Sequence, residues 1–403
     1  MKKKRKHVNI YLLVASLFFS FCLVELYMYV AKIEYPIFQN FDQDRGFSLR
    51  PNSSGWWTRE GKAFVKINSQ GLRDIEHNKS KDLKTIRIAV LGDSFTEARP
   101  ISLDKTFWKL SEKKLNSCIP EKYKDIEVIN FGVTEYSTAQ ELITLRNNVW
   151  QYDPDIILLA FYSGNDVSDN SKKLSRKNYR PFFYYENNTI KLDNSFRETK
   201  TYKLLNSFKG QLVITLSSYS RLVQLVKEIY LKFSTSKSNH KDVKKEGKSI
   251  LDEYGGTYQQ LYNPSSPDWI EAWKLTEDII LMINSEVKNK QKEFIVITLS
   301  NSRQVHPDKK YRDEFMESLK IDDLFYPDKR IANLGEKNNF LVFNLAEPMQ
   351  KYAKKNNIFL HGFENSIEEW KGKGEGHWNS DGHFVASEIV FNKICSFSQV
   401  FNK

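Results

Sequence analysis

The stretch IRIAVLGDSFT, residues 86–96, carries the clearest signal of how this chain folds. Ile86–Leu91 is a nearly unbroken apolar run, the pattern of a strand covered on both faces in a parallel sheet. Gly92-Asp93-Ser94-Phe95-Thr96 follows it directly. A Ser on a Gly-assisted turn from strand into helix holds its hydroxyl in the crevice at the sheet edge. Its own N–H lies at the positive end of the helix, where a developing oxyanion is stabilised. An ordinary helix N-cap accounts for the same five residues taken alone.

Similar apolar runs recur at Ile126–Ile129, Ile156–Phe161, Phe294–Leu299 and Phe340–Leu345. Helix-length segments lie between them, among them Phe107–Asn116, Ala139–Trp150 and Trp269–Lys288. In the last, Trp269, Trp273, Leu275, Ile279, Ile280 and Ile283 recur at helical spacing. Strand–helix alternation predicts an α/β domain, a doubly wound parallel sheet of five strands, over residues 84–403. The gap between the third and fourth strands is too long for one crossover and predicts an insertion at about 168–266. It holds an aromatic patch (Phe182, Phe183, Tyr184, Tyr185), a helical stretch (Tyr219–Phe233) and a polar tract (Ser234–Ser249) expected to be a mobile loop. An insertion there lies beside the ligand crevice of such folds. Its amphipathic helix is expected to pack on the core rather than to rest on a membrane.

Residues 32–83 mix aromatic and polar side chains with Gly punctuation, as in Gly55-Trp56-Trp57 and Asn68-Ser69-Gln70-Gly71, and read as an extended strap with short strands. Before it, Lys2, Lys3, Lys4, Arg5 and Lys6 precede an uncharged run from Val8 to Val24 whose apolar character continues to Ala31. About 20 such residues span a bilayer as a helix. Residues 1–31 are therefore expected to form a cytoplasmic basic tail and an uncleaved transmembrane anchor, with the rest of the chain outside. A cleaved signal peptide is the rival reading, but Tyr29 spoils its small-residue cleavage site, and Phe21 spoils a lipoprotein site at Cys22.

Composition narrows the function classes. The 27 Phe, 20 Tyr and 8 Trp among 403 residues suffice for a core, which excludes wholesale disorder. Five of the eleven excess positive charges sit in the N-terminal cluster, and most other Lys are interleaved with acids. With no zinc-finger spacing and no base-reading helix, nucleic acid is not an expected partner. Three cysteines are too few for a disulfide scaffold or a Cys-ligated metal. Cys118 and Cys395 could pair in an oxidising compartment, yet two inert buried thiols are expected. No metal or cofactor is expected: His383, six residues after His377, fits no common zinc spacing.

Other segments converge on the edge that carries Ser94. Asn130-Phe131-Gly132 ends the second strand, and a Gly there lets its N–H approach a ligand. Ser163-Gly164-Asn165-Asp166 ends the third, where the Asn165 amide can donate to the same oxygen. Gly376-His377-Trp378-Asn379 precedes the last helix, expected at Phe384–Phe397, and can reach back over Ser94. His7 precedes the anchor, His77 lies in the strap and His240 in the polar tract; His306, His361 and His383 are left as structural or substrate-contact candidates.

The order Gly-Asp-Ser, Gly, Gly-Asn-Asp, His resembles the four blocks of the SGNH (GDSL-type) hydrolase superfamily. The resemblance runs from about residue 84 to the C-terminus and implies a flavodoxin-like fold. It implies Ser94 as nucleophile, His377 as general base, and the Ser94 N–H, Gly132 N–H and Asn165 side chain as oxyanion hole. Asp93 and Asp166 would brace their loops. The family's Asp three residues before the catalytic His is here Gly374. Glu375, two residues before His377, stands in a carboxylate-x-His-Trp-Asn pattern similar to that of exopolysaccharide O-acetylation proteins, and is the expected third member. A Ser–His dyad braced by a carbonyl, or Asp381 in that role, are the alternatives. The anchor and the resemblance together raise the expectation of an extracytoplasmic, membrane-anchored esterase acting on acylated carbohydrate or small molecules. An O-acetyltransferase of cell-surface polysaccharide, a catalytically weak glycan-binding protein and a membrane lipase are the competing readings.

Overall fold

The computed structural model describes residues 2–239, 257–366 and 372–402. Helix α1 (Lys2–Val30) is long and apolar enough to cross a membrane, and its apolar stretch is not buried against the rest of the chain. Two antiparallel hairpins follow, β1 (Gln39–Asp42) with β2 (Gly46–Leu49) and β3 (Ser54–Trp57) with β4 (Ala63–Lys66). They are not a free tether. Phe38, Phe47, Leu49, Val65 and Ile67 form a small core with Val133 and Tyr136 of the main body, and the Tyr136 hydroxyl donates to Phe47 O at 2.7 Å.

Beyond the strap come β5 (Thr85–Gly92), α2 (Ser94–Glu97), α3 (Phe107–Leu115), β6 (Asp125–Asn130), α4 (Thr138–Thr144), β7 (Ile156–Phe161) and α5 (Asp166–Asn170). The predicted helix at Ala139–Trp150 is interrupted: α4 gives way to a π-helical turn at Leu145–Val149. The segment after β7 holds the hairpin of β8 (Phe182–Glu186) and β9 (Thr189–Asp193), then α6 (Lys200–Asn206), α7 (Phe208–Tyr219) and α8 (Arg221–Asn239). The polar tract therefore begins as helix, because α8 continues to Asn239; its remainder, His240 included, lies outside the described residues. The chain resumes with α9 (Thr257–Tyr262), α10 (Pro267–Asn289), β10 (Glu293–Thr298), α11 (Ser302–Val305), α12 (Lys309–Leu319), α13 (Tyr326–Asn338), β11 (Leu341–Asn344), α14 (Ala346–Asn356) and α15 (Ser380–Phe397).

The sheet is parallel throughout, in the order β11–β10–β7–β5–β6. All eight residues of β5 are buried. Ala89 and Leu91 point into one core with α4, α10 and α13; Ile88 and Val90 point into the other with α3, α14 and α15. This covering of both faces is what the unbroken apolar runs require. Counting only sheet strands, the order is 2-1-3-4-5, so the chain reverses direction across the sheet between β5 and β7. Ligands of doubly wound sheets bind at that switch point, outside the carboxyl ends of the strands.

Cys118, just after α3, and Cys395, in α15, form a disulfide with Cα atoms 6.0 Å apart. The expected pair of free thiols is thus corrected. α3 and α15 lie side by side on one sheet face, which brings together two residues separated by 277 positions.

Candidate active site

Ser94 is the first residue of α2, immediately beyond the end of β5. Gly92 is required there, because a Cβ would lie 2.2 Å from Thr96 Oγ1. The Asp93 carboxylate caps α2 by accepting the Phe95 N–H at 3.0 Å. The far end of this one-turn helix is held by the strap. The fully buried Arg73 guanidinium donates to Ala98 O at 2.6 Å and to the carbonyls of Glu97 and Ile101. A short helix whose terminal carbonyls are orphaned is thereby satisfied from outside.

His377 reaches this turn from the loop before α15. Its Nε2 stands 2.8 Å from Ser94 Oγ. Its Nδ1 is 2.6 Å from Glu60 Oε2, and its backbone N–H donates to Glu60 Oε1 at 2.7 Å. One carboxylate thus fixes both the ring and the main chain of the same residue. Glu60 is 1% exposed and lies between β3 and β4, in the strap. Its turn can approach because Gly61, at φ +66°, carries no Cβ; one there would lie 2.4 Å from Pro100 O. With Nδ1–H directed at Glu60, the Nε2 lone pair faces the Ser94 hydroxyl.

Glu375 does not join this line. Its carboxylate meets Ser302 Oγ at 2.9 Å, Arg303 at 2.8 Å and the Tyr311 hydroxyl, bracing the loop on α11 and α12. In an extended chain, residues two apart share a face. Here Gly374 (φ +89°) and Gly376 (φ +73°) turn the backbone on either side of Glu375, and the two side chains diverge. Asp381 is exposed in the first turn of α15.

The other expected site residues divide. Ser94 and Asn165 both line one cleft of about 510 Å³. No acceptor for the Ser94 N–H is found among the described residues. The Asn165 side chain hydrogen-bonds the Asp93 carboxyl, and its amide nitrogen makes a long contact, 3.4 Å, to Tyr136 O. Gly132 sits under α2, where a Cβ would come within 2.6 Å of Thr96. Its N–H donates to Asn130 Oδ1 at 2.8 Å rather than into the cleft. Asp166 accepts the Tyr162 N–H at 2.8 Å. Burial pushes the Asp93 carboxyl up to about 6, against the pull of the Phe95 N–H and His377. Burial and neighbouring acids hold Glu141 and Asp166 well above the usual carboxylate range.

Two of the remaining histidines belong to the framework. His361 is pushed down to about 4 by burial, with Nδ1 2.7 Å from Gly376 O and Nε2 3.2 Å from Ser300 Oγ. His383 accepts the Phe107 N–H at 3.2 Å, and burial holds it well below its ordinary value. His306 stacks on Tyr311, away from the cleft. Trp378 is fully buried on Phe95 and Phe107, seating the loop that carries His377.

A hydroxyl, an imidazole and a buried carboxylate thus stand in sequence at the switch point of a doubly wound sheet, an arrangement that can draw the proton from the hydroxyl. No family model matches the sequence, and no curated protein matches it. Among solved structures the chain is similar to an acetyl xylan esterase, with 11% identity over 77% of this chain and 100% of that one and a TM-score of 0.36. It is likewise similar to an acetylxylan esterase from Geobacillus stearothermophilus (12% identity, 77% and 94% covered, TM-score 0.34). A lipase/acylhydrolase from Enterococcus faecalis gives 12% identity, 77% and 96% covered, and a TM-score of 0.34.

Sequence reasoning missed Glu60 altogether. The usable signals were an acid lacking from the family's position at Gly374 and an Arg-Glu-Gly turn, Arg59–Gly61, in a strap rich in aromatic residues.

Proposed function

We propose that this chain is a membrane-anchored, extracytoplasmic esterase of the SGNH kind, with Ser94 as nucleophile, His377 as general base and Glu60 as the orienting acid. The observation that carries the reading is the continuous line from Glu60 through both nitrogens of His377 to Ser94 Oγ. As Ser94 Oγ attacks an ester carbonyl, its proton passes to His377 Nε2. The buried Glu60 stabilises the resulting imidazolium. The Ser94 N–H and the Asn165 amide are the donors for the oxyanion. Collapse of the tetrahedral intermediate returns the proton from His377 to the leaving alkoxide. Water then cleaves the acyl-enzyme by the same route in reverse.

Acylated carbohydrate is the substrate class we favour, because Tyr35, Trp57 and Tyr162 are among the residues lining the cleft and aromatic rings stack on sugars. An outer location is supported by the disulfide, since such bonds persist in oxidising compartments, and by the basic cluster ahead of α1. An O-acetyltransferase of surface polysaccharide uses the same residues with a sugar hydroxyl in place of water.

The reading is tested on the full-length protein in detergent. A fluorophosphonate probe labels the wild type stoichiometrically, and Ser94→Ala abolishes both labelling and p-nitrophenyl acetate turnover. Unchanged turnover in Ser94→Ala overturns the assignment. Mass spectrometry of an acetylated oligosaccharide separates the two outcomes: loss of acetyl marks hydrolysis, and its appearance on a second glycan marks transfer.

A further inference from the structure

Helix α7 carries an apolar surface that no part of the described chain covers. Phe208 and Tyr219, at its two ends, are 82% and 87% exposed, and Leu212, Val213 and Leu216 between them are nearly half exposed. Only Ser217 of this helix is buried, and Leu204 of α6 extends the exposed face. Contiguous exposure of this kind marks an interaction surface.

The end of α7 is fixed to α1. Glu25 accepts from the Ser220 hydroxyl, from Arg221 N–H at 3.0 Å and from Leu222 N–H at 2.9 Å, capping the start of α8. In return the Arg221 guanidinium donates to Met28 O at 2.9 Å and Tyr29 O at 3.2 Å, capping the end of α1. The exchange sets a depth. Glu25 lies five residues before Val30, about 8 Å down the helix axis at 1.5 Å per residue. A hydrocarbon core needs about 20 helical residues, which from Val8 ends near Tyr27. The hinge between α7 and α8 therefore sits at the level where acyl chains meet headgroups.

From that hinge α8 runs to the cleft. Gln224 accepts the Tyr35 N–H at 2.8 Å, Glu228 pairs with Arg59 at 2.5 Å beside Glu60, and both line the cavity that holds Ser94. We propose that α7, with the adjoining end of α6, lies in the outer interface of the bilayer that α1 spans, holding the α8 wall of the Ser94 cleft against the membrane surface. An apolar face buried at headgroup depth is how interfacial helices bind lipid. The proposal rests on the anchored reading above for its span, and commits to lipid as the occupant because α7 is joined to α1 at bilayer depth.

The test uses full-length protein carrying Cys22→Ser in nanodiscs of phosphatidylcholine and phosphatidylglycerol. Single cysteines are introduced as Leu212→Cys in α7, Leu17→Cys in α1 and Leu83→Cys at the opposite edge of the sheet. Each is labelled with an NBD fluorophore without reductant, and doxyl-phosphatidylcholine is the quencher. Positions 17 and 212 should lose most of their emission, while position 83 keeps it. Quenching at 17 alone overturns the proposal and leaves the anchor standing. No quenching at 17 removes the span, and the proposal with it. A label at 212 shielded from water but unquenched, together with cross-linking between two copies through Leu212→Cys, also overturns it in favour of self-association. Fluorophosphonate labelling of Ser94, scored in the same discs, reports on the esterase reading independently of all these results.

Discussion

Glu60 and Glu375 occupy contrasting environments. Glu60 is desolvated and holds both the ring and the N–H of His377; Glu375 is shared among a hydroxyl, a phenol and a guanidinium. Glu60→Gln should therefore lower kcat by about 10²–10⁴, on the precedent that a neutral acid leaves the imidazole in the wrong tautomer. Glu375→Gln should leave kcat within a few-fold of wild type and lower only the thermal midpoint. Turnover of p-nitrophenyl acetate by both variants checks this, and the reverse order of effects would refute it. The approach of His377 to Ser94 could be anticipated, since both belong to loops at one sheet edge. The acid could not: its contact with the ring spans 317 positions, and a carboxylate in a hairpin turn has no local pattern to mark its partner.

His77 makes a second prediction at this scale. Burial opposes its charge, but Asp74 and Glu127 on either side outweigh that and raise it from 6.5 to about 9. A histidine raised on folding contributes stability that is complete below its unfolded value and is lost as pH climbs through its folded value. Urea midpoints should accordingly fall between pH 6.5 and about 9, and His77→Gln should flatten that slope. A slope unchanged in the variant would show that His77 is not the group responsible.

Among the elements, α2 depends most on its neighbours. Four residues cannot hold a helix through their own hydrogen bonds. Asp93 caps its beginning and Arg73 its end, the latter from the strap. Arg73→Met keeps the apolar stem but takes the guanidinium from three carbonyls, of which only Ala98 O keeps another donor, the Ile101 N–H; this should cost more than about 2 kcal/mol. Urea denaturation measures the loss, and slower fluorophosphonate labelling should accompany it as Ser94 loses its fixed position. The central strands were legible because burial on both faces leaves a continuous apolar run. The break of α4 into a π turn and the length of α8 were not, since helix boundaries follow tertiary packing more than propensity.

At the level of the whole molecule, the doubly wound sheet follows from alternation of apolar runs and helical periods. The disulfide does not, because pairing of Cys118 with Cys395 requires knowing that α3 and α15 are neighbours. The strap is the larger lesson. Its composition reads as a connector, yet it delivers Glu60 to the imidazole, Arg73 to α2 and Asp74 to the backbone of β6 through the Asn130 N–H at 3.0 Å. Those three contacts all reach residues outside the strap, so nothing local foretells them.

The placement of Glu60 upstream of the first sheet strand bears on how the molecule can be divided. A shortened form beginning at Lys84 would keep every strand of the parallel sheet and the loops that bear Ser94, Asn165 and His377. It would nonetheless lack Glu60, the carboxylate that holds both the ring and the N–H of His377. On the function proposed above, a shortened form must therefore retain the strap as well as the sheet, because Glu60 reaches the imidazole only from there.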